Sequence, residues 1–75
     1  MLGFINRNCC LIHTQNLRSY MNGYAVFNHG LVNKGDTVFI LRTLTIEESE
    51  LALVHHSRLA IFAWLFLRDI EFENS

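Results

Sequence analysis

The sequence predicts an α+β domain in which a short antiparallel β-hairpin or meander packs against one long C-terminal helix, and the chain self-associates through that helix. Three observations carry the prediction. Residues 24–43 hold β-branched and aromatic runs broken by asparagine and glycine. Thr45-Ile46-Glu47-Glu48 has the residue types of a helix capping box. Leu59 to Leu67 is a run of nine residues without a polar side chain.

The strand-rich part is taken as residues 1–44. Cys9-Cys10-Leu11-Ile12 is an apolar run that suits a short strand ending at His13. Residues 14–19 suit a loop or a single helical turn. Tyr24-Ala25-Val26-Phe27, Leu31-Val32 and Thr37 to Thr43 have strand composition. Between the last two, Asn33-Lys34-Gly35-Asp36 is a reversal, with Gly35 free to take positive φ. The spacing Val32-x-x-Gly35-Asp36-x-Val38 is common in small barrels and punctuates structure without specifying a function.

The helix is expected over residues 45–70, with a short tail at 71–75. Thr45 would cap it, Glu47, Glu48 and Glu50 would face the positive end of its dipole, and Arg68 the negative end. A helix apolar on every side over Leu59–Leu67 needs covering on every side, and one small sheet covers only one. Twenty-six helical residues (45–70) would also span about 39 Å, longer than a 75-residue globule is wide. A homodimer removes the problem, and Leu59, Phe62, Trp64, Phe66 and Leu67 are the expected contact residues.

A chain of 75 residues is expected to form a single domain, 1–75, with a thin core. Its cysteines, Cys9 and Cys10, are adjacent and poorly placed to bridge. The first residues lack a signal-peptide layout, so an intracellular, cytoplasmic setting is expected. A bilayer span is disfavoured because His55, His56, Ser57 and Arg58 interrupt the apolar stretch 51–67; a membrane-associated helix remains the third reading of the chain. The formal charge of -1 conceals an asymmetry. Arg7, Arg18, Lys34 and Arg42 against Asp36 leave residues 1–44 at +3, and residues 45–75 stand at −4.

No motif specifies a chemistry. Cys10-x-x-His13 is half of a metal-binding pattern, and neighbouring His55 and His56 cannot share an ion on a helix. No metal or cofactor is expected. No nucleophile stands at a telling distance from a histidine, so the chain is not expected to be an enzyme. His56-Ser57-Arg58-Leu59-Ala60-Ile61 resembles the helix signature of the chlorophyll-binding light-harvesting family, in which the histidine position can ligate chlorophyll and the arginine pairs with a glutamate. That glutamate position is Leu53 here, and the match spans six residues.

The expected function is therefore a non-enzymatic protein–protein interaction protein: a small adaptor, inhibitor or assembly subunit, of a size that suits a virus- or phage-encoded accessory protein. The alternative is a nucleic-acid-binding dimer using Arg18, Lys34 and Arg42. His55, His56 and Arg58 form an expected pH-sensitive cluster, which at a helix interface would loosen the dimer near about pH 5.5.

Overall fold

Three chain connections, those after the first, third and sixth strands, are too short for a flat sheet, and they dictate the architecture. The computed structural model describes residues 1–14 and 28–73. Seven strands run in chain order: β1 Leu2–Ile5, β2 Cys9–His13, β3 Asn28–Val32, β4 Thr37–Ile46, β5 Ser49–His56, β6 Ile61–Phe66 and β7 Ile70–Phe72. They form one sheet in the order β3-β2-β6-β5-β4-β1-β7, with every pairing antiparallel. In that order β1 and β2 stand four strand spacings apart, about 19 Å if the sheet were flat. Ile5 to Cys9, fully extended, reaches only about 14 Å. The link from β3 to β4 spans the same interval and is a tight turn, closed by the Asp36 N–H donating to the Asn33 carbonyl at 3.0 Å. The sheet must therefore curl, and it does so into a half-barrel.

Where the curl brings its parts together, backbone bonds hold them. Ile5 N–H donates to the Asp36 carbonyl at 2.9 Å, and Gly35 N–H to the Ile5 carbonyl at 2.8 Å. Gly35 has φ of 92°, which glycine adopts without strain. The concave side encloses Ile5, Leu11, Val32, Val38, Ile40, Ala52, Val54, Ala63, Leu65 and Ile70. These alternate along their strands with residues of the convex side, as period-two geometry requires. The convex side has its own cluster, Ile12, Leu51 and Trp64, with Leu44, Ile46, Leu53 and Phe66 packed against it.

The predicted α+β class is overturned. No α-helix is present among the described residues, and residues 45–70 contain the end of β4, all of β5 and β6, and a 3-10 turn at Leu67–Asp69. The supposed capping box is the tip of a hairpin, with Ile46 paired to Ser49 across Glu47 and Glu48. The stretch resembling a light-harvesting helix is the end of β5, a turn and the first residue of β6. Packing explains the error: β5 and β6 carry apolar residues on both faces because clusters form on both sides of the sheet. Such a run has no strand period to read. Both turns also lack glycine, and Glu47 and Ala60 take positive φ, each 54°, in its place. The strand Cys9–His13 lies where expected. Leu31-Val32 and Thr37 to Thr43 are in strands as expected, the latter running on to Ile46 where the helix was to begin, but they do not pair with each other: β3 joins β2 and β4 joins β5. The proposed strand at 24–27 and the loop at 15–19 lie outside the described residues.

No helix among the described residues is long and apolar enough to cross a membrane. β1 is wedged between β4 and β7, and Gly3 permits the fit. A Cβ there would stand 2.8 Å from the Glu71 carbonyl oxygen and 3.0 Å from Ile40 Cδ1. Gly3→Ala is therefore expected to lower stability by roughly 1–3 kcal/mol, measured by urea denaturation. Ala60→Gly should do the reverse, raising stability by about 0.5–1 kcal/mol, because left-handed φ costs alanine more than glycine.

Candidate functional site

Two features stand out from the sheet, one polar and buried, one apolar and exposed. The polar one is built on Asp36, at the turn entering β4. Its Oδ2 accepts from the Asn33 N–H at 2.9 Å, from His56 Nε2 at 2.9 Å and from Arg58 Nη2 at 2.9 Å. His56 ends β5 and is 0% exposed, and its Nδ1 accepts from the Leu59 N–H at 3.1 Å. A backbone N–H aimed at Nδ1 makes that nitrogen the acceptor, so the proton sits on Nε2 and points at Asp36. The Arg58 guanidinium, foremost, and then the Asn33 and His56 donors outweigh partial burial and hold the Asp36 carboxyl down to about 2. Hydrogen bonding to Asp36 raises Arg58 in turn.

With both ring nitrogens engaged and no exposed surface, His56 has nothing to offer a substrate. The arrangement is a clamp that ties the β3–β4 turn to the β5–β6 turn. A second tie joins the start of the chain to its end. Arg7 Nε donates to the buried Asp69 carboxylate, and Asn6 Nδ2 donates to the Arg68 carbonyl at 2.9 Å. Burial, then the negative Asp69, pushes the nearby Cys9 thiol up to about 11, so it stays protonated and unreactive at neutral pH.

The apolar feature crosses the convex face. Leu2 pairs with Phe39, Phe39 with His55, and His55 with Phe62, a row over β1, β4, β5 and β6. Directly opposed side chains share a face. Phe39 is 47% exposed and Phe62 54%. The His55 and Phe62 rings meet edge to face with centroids 4.9 Å apart. Phe4 is exposed on the same face as Leu2, two residues along β1. The row contains no carboxylate, lysine or arginine.

The expected contact residues separate on this framework. Phe62 stands in the exposed row. Trp64, on the same face of β6, is only 3% exposed, with the Arg42 guanidinium 5.4 Å from its ring centroid. Phe66 packs against the convex cluster, with the Arg68 guanidinium 4.7 Å from its ring centroid. Leu59 and Leu67 pack against the concave core. His55 and His56 lie on opposite faces of β5, so they share no environment, and Arg58 belongs with His56 alone. Their expected place at a helix interface is lost with the helix. Of the cations considered for nucleic acid, Lys34 is in the β3–β4 turn, Arg42 is committed to Trp64, and Arg18 lies outside the described residues. Among the described residues no group of three His, Cys, Asp or Glu side chains is placed to hold a metal ion.

Leu2, Phe4 and Phe39 escape a reading of the sequence alone. Their only signal is alternation: Leu2 and Phe4 flank Gly3, and Phe39 stands between Val38 and Ile40. Fold and site together define a class, a small all-β half-barrel with a clamped turn and an exposed apolar row. No family model, curated protein or solved structure matches the chain, so the chemistry of this surface is the guide to function.

The sign of the Asp36 effect sets a pH test. A carboxyl lowered in the folded state adds stability in full above its ordinary value of 3.8, and that stability is lost as pH falls toward about 2. The wild-type melting temperature should drop steeply between about pH 4 and pH 2, and Asp36→Asn should show a shallower drop from a lower start. Asp36→Ala, which leaves a buried His56 N–H without an acceptor, should cost about 1–3 kcal/mol at neutral pH by urea denaturation.

Proposed function

We propose that this chain is a non-enzymatic interaction protein that self-associates through the convex row Leu2, Phe39, His55 and Phe62. The carrying observation is the row itself: four residues paired in succession across adjacent strands, three of which, Leu2, Phe39 and Phe62, leave apolar side chains in water. Leu2, Phe4, Phe39 and Phe62 together expose on the order of 300–400 Å² of side chain. That is the size of the largest patch on a typical monomer, about 300–600 Å², and such patches are often contact sites.

A second copy of the chain suits this surface. A two-fold axis at His55 would set Phe39 of one protomer against Phe62 of the other, and reciprocally. The row has no permanent charge to strip of water. A net charge of -1 per chain offers little repulsion between copies. Two such patches hide roughly 700 Å², short of the about 1,200 Å² of a small stable interface. The dimer is accordingly concentration-dependent, or the contact spreads to neighbouring polar surface. An intracellular setting belongs to the same proposal and is supported by Cys9 and Cys10, which are unbridged.

Sedimentation equilibrium over a range of protein concentrations tests the proposal. The wild type should shift from monomer toward dimer, and Phe39→Glu and Phe62→Glu should remain monomeric with unchanged circular dichroism. A wild type that stays monomeric throughout, or a dimer indifferent to both substitutions, would refute it.

A further inference from the structure

We infer that the open edge of β7 is a docking site for an extended protein segment of alternating basic and apolar residues, bound by strand addition. β7 ends the sheet, and among the described residues no strand pairs with its outer edge. The hydrogen-bond register shows which groups that edge presents. Glu73 N–H donates to the Leu2 carbonyl at 3.1 Å, and Asn6 N–H to the Asp69 carbonyl at 2.9 Å. Antiparallel bonding alternates every second residue, so Asp69, Glu71 and Glu73 turn their backbone groups to β1. Ile70 and Phe72 turn theirs outward. The Ile70 N–H is taken by the Leu67 carbonyl. The Ile70 carbonyl and both backbone groups of Phe72 remain for an incoming strand.

The side chains around that edge specify what fits. An open groove of about 540 Å³ runs beside it, lined by Phe4, Ile70, Glu71, Phe72 and Glu73. Phe4 is paired with Glu71, which puts Glu71 and Glu73 on the convex face, while Phe72 is paired with Gly3 on the concave side. A residue of the incoming strand opposite Phe72 would make both backbone bonds and turn its side chain toward Phe72. Its two neighbours would lie opposite Glu71 and Glu73. An apolar residue flanked by two cations satisfies all three positions.

The same charges exclude a second copy at this edge. A two-fold axis at Phe72 would set Glu71 opposite the partner's Glu73, and an axis at Glu71 would set Glu71 opposite itself. Like charges directly across a strand pair are destabilising. The edge adjoins the self-association row, since Phe4 lines its groove and Glu73 lies opposite Leu2, but it takes a basic segment and not a second copy, so failure of one is distinguishable from failure of the other.

The test uses the full chain and a terminally blocked seven-residue peptide of alternating lysine and valine. Calorimetric titration should show saturable binding, and the Phe72 amide should exchange more slowly in the complex. Glu71→Gln combined with Glu73→Gln should weaken binding about fivefold, and a glutamate–valine peptide should not bind. N-methylation of the valine amides should abolish binding while leaving the protein untouched, which separates strand pairing from charge attraction. Failure of the lysine–valine peptide to bind, undiminished binding of the N-methylated peptide, or amide shifts centred on Phe39 and Phe62 would each overturn the inference.

Discussion

Asp36 sits where the curl of the sheet has to close, and the remainder of the fold depends on that closure. The connections β1–β2, β3–β4 and β6–β7 each cross four strand spacings with too few residues to do so on a flat sheet. The half-barrel follows from chain length alone. What keeps it closed is one residue used several ways: the Asp36 carbonyl takes the Ile5 N–H, and its carboxylate takes the Asn33, His56 and Arg58 donors. Ser57 N–H adds a bond to the Thr37 carbonyl at 3.1 Å alongside. A single residue thus gathers β1 through its backbone carbonyl and ties the β3–β4 turn to the β5–β6 turn through its carboxylate. His56 is buried there as the neutral link in the clamp, and its chemistry is consumed by holding the fold.

Curling produces two unequal faces. The concave side is filled by short and medium side chains such as Val38, Val54, Ala52 and Ala63, which suits the limited room inside a small roll. The larger residues Trp64, Phe66, Phe39 and Phe62 fall on the convex side, where space is not limiting. Part of that side packs into its own cluster, with Arg42 lying over Trp64 through a cation–π contact. The rest is the exposed row. Burial therefore divides along β6 between adjacent same-face positions, with Trp64 in the convex cluster and Phe62 in water.

Open sheets carry a hazard at their ends, because unpaired backbone groups invite further strands. Here the β7 edge is three residues long and flanked by Glu71 and Glu73. Those carboxylates discourage pairing with a like edge and leave pairing with an opposite charge open. Two carboxylates of the acidic excess of residues 45–75 are thereby placed at this strand. Among the described residues the basic excess of residues 1–44 does not gather in the same way, since Arg7 is bound to Asp69 and Arg42 lies over Trp64.

The sequence by itself determined the local events: a strand at Cys9–His13, a reversal at Asn33–Asp36 around Gly35, strand character from Thr37 onward, and more apolar surface than one small core needs. These depend on neighbours in the chain, on β-branched content and on the freedom of glycine, and they were legible for that reason. Only the tertiary structure decided that Thr45–Ile70 is the end of β4, two further strands and the turns between them, because an apolar run covered on both faces has no period to betray it, and because Glu47 and Ala60 make turns that glycine would have announced. It also decided that β3 pairs with β2 instead of β4, and so which residues meet. The row of Leu2, Phe39, His55 and Phe62 joins positions up to sixty residues apart, and the His56–Asp36 contact joins two turns. Such juxtapositions are products of long-range register, which is set by closure of the sheet and not by any local pattern of residues.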